Sequence, residues 1–179
     1  MTHALFESER ARFRLWNADD LEAGIALWCN EEVMRFIEPP LEDADAVLAC
    51  IAAGEAHYDA FGVQHFALEH KSSGEVIGCC GFNRADETST DLELVIHLRV
   101  EWWGRGYGKE AVNAALAWVR QHPTLASKRV LASTATENIA MQRILEGAGM
   151  TCLGEQWYDD TEQHELSYEV DITDGNSPL

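Results

Sequence analysis

The segment best suited to chemistry lies between residues 100 and 110, in the run Val-Glu-Trp-Trp-Gly-Arg-Gly-Tyr-Gly-Lys-Glu. Its alternating glycines are Gly104, Gly106 and Gly108. Glycine lets a backbone adopt positive φ and approach a ligand closely, and the free N–H groups at the start of the helix that should follow suit a phosphate or pyrophosphate. Because Arg105 and Lys109 add positive charge, the turn is predicted to bind an anion. The alternative is a tight turn whose glycines only shape the backbone.

Two common nucleotide-binding patterns do not fit this segment. A P-loop requires G-x-x-x-x-G-K-[ST], but Trp103 stands at the first glycine position and Glu110 replaces the hydroxyl residue. A dinucleotide fingerprint that starts at the first glycine would need another glycine where Lys109 stands. Ala111 satisfies a relaxed form that starts at the second glycine, but the run of strands predicted before the turn contradicts a βαβ unit. Nucleotide hydrolysis and dinucleotide binding are therefore disfavoured.

Histidine and cysteine give no sign of a metal site. The seven histidines show neither H-E-x-x-H nor a paired spacing typical of metal ligands. The cysteines are odd in number and form no C-x-x-C: Cys29, Cys50, Cys79, Cys80 and Cys152. Adjacent cysteines in a strand would point to opposite faces and clamp a metal poorly. We therefore predict no metal, and small buried thiols in a reducing compartment.

The composition is that of one globular domain. The chain has 179 residues, of which 46% are hydrophobic and 25% charged, and its formal net charge is −18. So acidic a surface repels phosphate backbones, which excludes general binding to nucleic acid or anionic membranes and favours a cationic partner. The sequence shows no signal-peptide pattern and no apolar run of membrane-spanning length. We expect a soluble cytoplasmic protein with a loose tail over residues 173–179, and the sequence gives no signal of oligomeric state.

The predicted elements place the anion-binding turn between a strand over residues 91–99 and a helix over 109–121. Period-two patterns and turn residues predict further strands over 10–16, 64–69, 75–82, 128–134, 151–157 and 165–172. Asn17 should cap a helix with Leu21, Ile25 and Trp28 inward, and other helices should cover 43–58 and 138–146. The helix over 43–58 should bury Val47, Leu48, Ile51 and Ala52. This order indicates a mixed α/β (α+β) domain in which an antiparallel meander leads into a helix.

The run from Trp103 to Gly108 resembles the acyl-CoA turn of the GNAT acetyltransferases, whose pattern is Q/R-x-x-G-x-G/A. Trp103 departs from that pattern, but tryptophan at this position resembles the RimJ/RimL-like branch of N-acetyltransferases. Stretches over residues 10–15, 30–37, 76–82 and 136–150 resemble segments of the same branch in the same order. The similarity covers roughly residues 8–171. It implies one acetyltransferase domain over 1–179, with a central, mostly antiparallel sheet that is splayed at the cofactor site and flanked by helices.

The resemblance also implies an activity, namely transfer of acetyl from acetyl-CoA to a primary amine without a metal. The branch and the acidic charge favour a protein N-terminal α-amino group as acceptor. A small-molecule amine or amino acid is the alternative acceptor. An alternative of another class is a non-catalytic acyl-CoA-binding module with the same fold. Acceptor choice should lie in the two N-terminal helices and the loop over residues 157–164.

The resemblance further implies which residues bind the cofactor. The strand before the turn should bind the pantetheine arm, through Ile96, His97 and Leu98. Backbone N–H groups of the turn should bind the pyrophosphate, through Gly104, Arg105, Gly106, Tyr107, Gly108 and Lys109. Asn138 occupies the position of an asparagine that points into the cofactor channel in the family. It also suits the N-cap of the helix that follows, and both roles can hold together.

For catalysis, the resemblance implies a group that helps to deprotonate the amine. Glu93 matches a carboxylate of the branch and is the first candidate base, acting through water, or an anchor for the ammonium. His97, on the same face of the strand by alternation, is the second candidate base, or a satisfied half-buried histidine. The tyrosine that serves as general acid in many GNAT enzymes is replaced by Leu145, and a neighbouring hydroxyl position by Met141. Tyr168 on the last strand is a weak substitute.

Overall fold

The computed structural model describes residues 3–85, 89–122, 125, 127–159 and 162–173, and its centre is one eight-stranded sheet. The strands are β1 Phe6–Glu7, β2 Ala11–Arg14, β3 His65–His70, β4 Val76–Arg84, β5 Leu92–Leu98, β6 Arg129–Ala135, β7 Thr151–Tyr158 and β8 Gln163–Asp171. The helices are α1 Leu21–Trp28, α2 Glu31–Met34, α3 Ala44–Phe61, α4 Tyr107–Arg120 and α5 Ile139–Gly147. Short 3₁₀ turns cover Ala18–Asp20 and Val100–Trp102.

Short polar side chains begin most of the helices. Asn17 accepts a hydrogen bond from the N–H of Asp19, Asn30 caps α2, and Asp43 caps α3 by accepting from the N–H of Ala46. Each satisfies an N–H group that a helix leaves without an intrahelical partner. At the other end of α3, Gly62 takes the left-handed conformation (φ +74°) that closes many helices.

The sheet runs in the order β1-β2-β3-β4-β5-β6-β8-β7, and its neighbours are antiparallel except for β5 and β6. That parallel pair is joined at two register positions, Leu92–Val130 and Glu93–Leu131. Beyond them β5 continues to Leu98, still paired with β4, and β6 continues to Ala135, still paired with β8, but the two strands no longer pair with each other. The predicted antiparallel architecture and the predicted splay are both confirmed, and the splay opens a cleft in the middle of the sheet.

Two apolar clusters cover the two faces of the sheet. One holds β4 and β5 side chains such as Cys80, Phe82 and Leu94 together with residues of α4 and α5. The other holds Trp28 and residues of α2 and α3 with Cys79 of β4. Strand alternation therefore directs the even-numbered side chains of β5 towards α4 and the odd-numbered ones towards the N-terminal helices.

Most element positions agree with the sequence prediction, and several details correct it. α4 starts at Tyr107 rather than 109, β8 starts at Gln163 rather than 165, and the short strand β1 was not predicted. The short helix α2 lies within residues 30–37, a stretch whose family resemblance implied a helix. Leu48 and Ala52 were predicted to be buried, but they are exposed because the inward stripe of α3 follows Val47, Ile51 and Gly54.

Further predictions concern cysteines, membranes and the tail. Cys79 and Cys80 are buried thiols as predicted, whereas Cys152 is exposed on the edge strand β7, contrary to the prediction of buried cysteines. Among the described residues, no helix is both long enough and apolar enough to cross a membrane. Residues 174–179 of the predicted tail, and Pro123 after α4, lie outside the described residues.

Candidate active site

The predicted anion-binding turn joins the 3₁₀ turn Val100–Trp102 to the start of α4. Gly104 and Gly106 both adopt the left-handed conformation, with φ of +69° and +83°. Gly106 is the N-cap residue of α4, and no side chain among the described residues caps that helix end. The first N–H groups of a helix have no intrahelical partner, so those of α4 are available to an anion, where the helix dipole also favours negative charge.

A distant segment fixes this turn. Glu110, in the first turn of α4, accepts hydrogen bonds from Ser8 Oγ at 2.7 Å, from the N–H of Arg10 at 2.7 Å and from Arg10 Nε at 2.6 Å. Arg10 Nη1 donates to the carbonyl of Arg105 at 3.1 Å, and the guanidinium lies 4.1 Å from the centre of the Tyr107 ring. Burial opposes ionisation of Glu110, but the bonds from Arg10 and Ser8 outweigh it and lower the pKa of Glu110.

This clamp holds the backbone of the turn and brings a third cation, Arg10, to a segment that already carries Arg105 and Lys109. The role of Arg10 was missed from the sequence, where it was read only as part of the first strand. Its partner Glu110 lies 100 positions away, and no local pattern links the two residues. Gly108 lets α4 pack closely against α5, because a Cβ atom there would lie 2.7 Å from Cδ1 of Ile144 in α5.

Trp103, the departure from the family pattern, has a defined partner. Its indole N–H donates to the carbonyl of Leu98 at 2.7 Å, although the side chain is 43% exposed. The bond ties the turn to the last residue of β5. It also gives one partner to the backbone of Leu98, which the sequence assigned to the pantetheine arm.

The cleft between β5 and β6 contains a cavity of about 310 Å³. Its lining residues come from five strands and helices and from the segment after α2: Phe36, Ile37, Glu93, Leu94, Val95, Ile96, His97, Ser133, Thr134, Asn138, Met141, Tyr158 and Glu165. The structure thus brings together four residues predicted from the sequence, Glu93, Ile96, His97 and Asn138. Leu98 and the anion-binding turn do not line this cavity and lie further along the same chain segment.

Asn138 has the predicted N-cap role, and its predicted place in a cofactor channel stays a prediction. Its Oδ1 accepts from the N–H of Met141 at 3.2 Å, which makes it the N-cap of α5. It also lines the cavity beside β5. Capping fixes the side chain at the mouth of the cleft, so the two roles are compatible.

Two carboxylates line the cavity. Glu93 stands at the last register position where β5 and β6 pair, on the face that carries Val95 and His97. Glu165 of β8 is only 5% exposed, and its Oε1 accepts from Gln163 Nε2 at 2.9 Å. Glu165 was missed because, in the sequence, it is one acidic residue among 31 and its strand gives no hint that it reaches β5.

His97 is bonded through its imidazole. The indole N–H of Trp28 donates to His97 Nδ1 at 3.3 Å. Burial, with a smaller contribution from His65, lowers the pKa of His97 to about 3. The ring is therefore neutral at neutral pH, and it is a poor proton acceptor, which argues against the predicted role of His97 as a base.

Tyr168, the candidate from the sequence, and Tyr158 differ in position. Tyr168 is 1% exposed within the core cluster of α4 and α5, and burial, followed by Cys152, raises its pKa. It lines a second cavity of about 390 Å³ next to β7 but not the cleft cavity. Tyr158 lines both cavities, and its hydroxyl lies 2.9 Å from Ser167 Oγ and accepts from Gln156. Tyr158 lies within residues 157–164, the loop predicted to take part in acceptor choice, but no motif singled it out.

The described part of the chain contains no group of three or more histidine, cysteine, aspartate or glutamate residues that could hold a metal ion. The site consists of a cationic backbone turn at the start of α4 and an acidic cleft, to which β5 contributes Glu93 and β8 contributes Glu165. This arrangement can hold an anionic ligand at one end and a cationic group at the other.

Comparison with known proteins relates this arrangement to a family. A family model described as an acetyltransferase (GNAT) domain matches residues 10–151. The chain is 25% identical over 139 residues to the uncharacterized N-acetyltransferase p20 of Bacillus licheniformis, which covers 77% of both chains.

Solved structures share the fold at low identity. RimL, a ribosomal L7/L12 alpha-N-protein acetyltransferase in complex with coenzyme A, matches with a TM-score of 0.81 at 11% identity, over 95% of this chain and 98% of that one. Spermidine N-acetyltransferase from Vibrio cholerae, in complex with CoA and spermine, matches with a TM-score of 0.76 at 18% identity, over 92% of this chain and 96% of that one.

Proposed function

The chain belongs to the GNAT family of acetyltransferases, and we propose that it transfers the acetyl group of acetyl-CoA to the α-amino group of a peptide or protein N-terminus. The observation that supports this proposal most directly is that one strand, β5, connects the cleft to the anion-binding turn. Strands β5 and β6 separate after Glu93, and the same β5 leads into the uncapped start of α4. A thioester in the cleft and a pyrophosphate at the turn can therefore belong to one extended ligand.

The residues present fit acetyl-CoA. The turn of residues 104–109 offers backbone N–H groups and the charges of Arg105 and Lys109, with Arg10 beside them. Ile96, His97 and Asn138 line the cleft where the pantetheine arm would lie. When bound, acetyl-CoA supplies an acetyl group activated as a thioester. This chain would position that acetyl group opposite the two carboxylates of the cleft, Glu93 and Glu165.

Glu93 is the residue proposed to act on the acceptor. An α-amino group has a pKa near 8 and a lysine amine one near 10.4, so an amine arrives largely as an ammonium ion and must lose a proton before it attacks. A carboxylate attracts the ammonium and, through a water molecule, can take that proton. Glu93 lines the cleft where the proposed thioester would lie, whereas the lowered pKa of His97 leaves it a weaker base.

The leaving group needs little help from the chain. Leu145, at the family's usual tyrosine position, is fully buried in the core and has no proton to give. A thiol has a pKa near 8.5, so its thiolate is a stable leaving group without a general acid. The absence of the tyrosine is therefore compatible with turnover.

A small cationic amine is the second candidate acceptor. The observation in its favour is that Glu93 and Glu165 line the same cavity, and two carboxylates attract a molecule with two ammonium groups. The fold neighbour that is a spermidine N-acetyltransferase fits this candidate.

The free state of all five cysteines supports a cytoplasmic location for either activity.

Transfer of labelled acetyl from acetyl-CoA to three acceptors tests the proposal. These are a peptide with a free N-terminus, the same peptide with a formylated N-terminus and an internal lysine, and spermidine. We expect kcat/KM for the free N-terminus to exceed the other two by at least about tenfold, or 1.4 kcal/mol. Preference for spermidine would support the second candidate, and binding of acetyl-CoA without transfer to any amine would contradict both.

A further inference from the structure

His97 occupies a position in the cleft that its neighbours define closely. It lies on β5 opposite Cys79 of β4, on the sheet face covered by the N-terminal helices. The indole N–H of Trp28, at the end of α1, donates to its Nδ1 at 3.3 Å. The same residue lines the cleft cavity with Glu93 and Glu165. One edge of the imidazole is therefore fixed by α1 while the residue borders the cleft.

This bond determines where the imidazole carries its proton. A neutral imidazole has one N–H and one bare nitrogen. Because Nδ1 accepts from Trp28, the proton must be on Nε2. Two titratable neighbours are His65 and the register partner Cys79, and burial keeps both uncharged at neutral pH, with the pKa of His65 at about 4 and that of Cys79 at about 12. Neither His65 nor Cys79 therefore carries a charge that would draw the proton back to Nδ1. The carboxylates that line the same cavity are Glu93 and Glu165.

We propose that Nε2–H of His97 is a fixed hydrogen-bond donor that recognises an oxygen of the acceptor, with Trp28 as the positioning residue that holds the tautomer. The side chain lies on the face of the N-terminal helices, where acceptor choice is expected, opposite the face of α4, whose uncapped start forms the anion-binding turn. The imidazole is therefore assigned to the acceptor, while the backbone of His97 remains assigned to the pantetheine arm. The carboxylates of the same cavity serve the ammonium, and His97 serves an oxygen close to it.

This inference rests on the proposed function and narrows it. A peptide N-terminus carries a carbonyl oxygen next to its α-amino group, whereas an alkyl polyamine has no oxygen and would leave Nε2–H without a partner. A buried donor without a partner lowers affinity, and a site built to bond a substrate group discriminates against analogues that lack it. The structure thus favours an acceptor in which a carbonyl accompanies the amine.

The test compares His97→Phe, which removes the donor, with His97→Gln, which keeps an N–H donor. Each is assayed with a free-N-terminal peptide and with a primary alkylamine that contains no oxygen. We expect the ratio of kcat/KM for peptide over alkylamine to fall about tenfold to a hundredfold in His97→Phe. The glutamine variant should recover most of that ratio. An unchanged ratio in His97→Phe, or an equal loss in both variants, would overturn the proposal.

The role of Trp28 is tested separately by ¹⁵N NMR of the His97 ring. In the wild-type protein we expect a pure Nε2–H tautomer at neutral pH, and in Trp28→Phe a mixture of tautomers. Trp16→Phe is the matched control, because Trp16 packs 4.8 Å from Trp28 but donates to the carbonyl of His65 instead. It should leave the tautomer unchanged. A wild-type ring with its proton on Nδ1 would refute the assignment.

These results separate the two proposals. If the wild-type protein acetylates the peptide and the His97→Phe ratio is unchanged, this inference fails and the proposed function stands. If the wild-type protein acetylates no peptide, the proposed function fails, and the NMR measurement still decides whether His97 is an Nε2–H donor.

Discussion

Strand β5 connects the acceptor cleft to the anion-binding turn, yet the two regions are constructed in different ways. The turn is made of consecutive residues, and its proposed function depends on backbone N–H groups and two left-handed glycines. The cleft is made of side chains from β5, β6, β7, β8, α5 and the segment after α2. A backbone site changes little when its side chains change. A side-chain site can be altered one residue at a time, so the cleft is where we expect acceptor specificity to reside.

The largest expected effect separates the cleft from the turn. Glu93→Gln removes the carboxylate proposed to act on the amine, so we expect kcat to fall by about 10²–10⁴, with partial recovery at higher pH. If Glu93 only anchors the ammonium, the KM for the amine should rise while kcat changes little. In both cases the Kd for acetyl-CoA should stay within about threefold, roughly 0.7 kcal/mol.

Steady-state kinetics across pH and separate calorimetry with acetyl-CoA provide these measurements. Glu22→Gln on the exposed face of α1 is the control for loss of one negative charge. Wild-type values of kcat and KM for Glu93→Gln at every pH would remove Glu93 from the site.

The next effect should appear in the turn and leave the cleft unchanged. Gly106→Val places a β-branched residue at φ +83° beside the proposed pyrophosphate, so the Kd for acetyl-CoA should rise at least about tenfold. Gly74→Val is the matched control, because Gly74 has φ +73° and open space around it but lies in the β3–β4 turn. Calorimetry that shows unchanged binding by folded Gly106→Val would contradict the assignment of the turn.

A smaller effect is expected from the clamp that holds the turn. Arg10→Met removes the side-chain hydrogen bonds to Glu110 and to the carbonyl of Arg105, and a cation near the anion site, while the bond from the Arg10 backbone N–H to Glu110 remains. We expect the Kd for acetyl-CoA to rise about threefold to tenfold, or roughly 0.7–1.4 kcal/mol, and the salt dependence of binding to weaken. Arg12→Met is the control, since Arg12 pairs with Glu7 and Glu69 away from the turn. Equal effects of the two changes would show that only net charge matters.

The last prediction concerns stability rather than binding or catalysis, and it also distinguishes the two regions. In the cleft region, His65 and His97 have folded-state pKa values of about 4 and 3, against an ordinary value of 6.5. Between those values the unfolded chain binds protons that the folded chain does not, so stability should fall as the pH drops below about 6.5. Each histidine contributes at most about 1.4 kcal/mol per pH unit.

At the turn, the pKa of Glu110 is lowered from its ordinary 4.5. Its contribution to stability is therefore complete above about pH 4.5 and is lost as the pH falls through the lower folded value. Urea unfolding at a series of pH values between 7 and 4 gives the free energy of unfolding as a function of pH. The slope of that free energy against pH should be shallower for His65→Phe than for the wild-type protein. It should be unchanged for His164→Gln, whose side chain is 57% exposed. A wild-type slope in His65→Phe would contradict the assignment to the buried histidines.

The sequence allowed the fold and the turn to be predicted because both depend on local patterns. Alternation located the strands, short polar residues located the helix starts, and glycine spacing located the turn. The inward stripe of α3 was partly misjudged, since Leu48 and Ala52 follow an apolar pattern but stand just beside the stripe of Val47, Ile51 and Gly54. Propensity identifies a helix, but its rotation about its own axis is set by what packs against it.

The cleft could be predicted only in part. Glu93, His97 and Asn138 were identified because they lie in segments with a family resemblance. Glu165 and the Arg10 clamp were not, and Tyr158 was included only as part of the loop over residues 157–164. Glu165 and Tyr158 line the cavity with β5 residues that are far away in the chain, and Arg10 bonds a residue 100 positions away. Even for His97, the residue was found but its chemistry was not, because the bond from Trp28 and the burial that lower its pKa exist only in the folded protein.

The two-position joint between β5 and β6 has a consequence for how the folded protein behaves in the cell. Because β5 and β6 pair only at Leu92–Val130 and Glu93–Leu131, few backbone hydrogen bonds join the two halves of the sheet. A ligand that lies between the separated strands would act as the missing strand, and any ligand that binds only the folded state stabilises it, by about 2.7 kcal/mol at one hundred times its Kd. Amide hydrogen exchange over residues 95–98 and 133–135 should then slow when acetyl-CoA is present. The lifetime of the folded enzyme would follow the supply of its own acetyl donor.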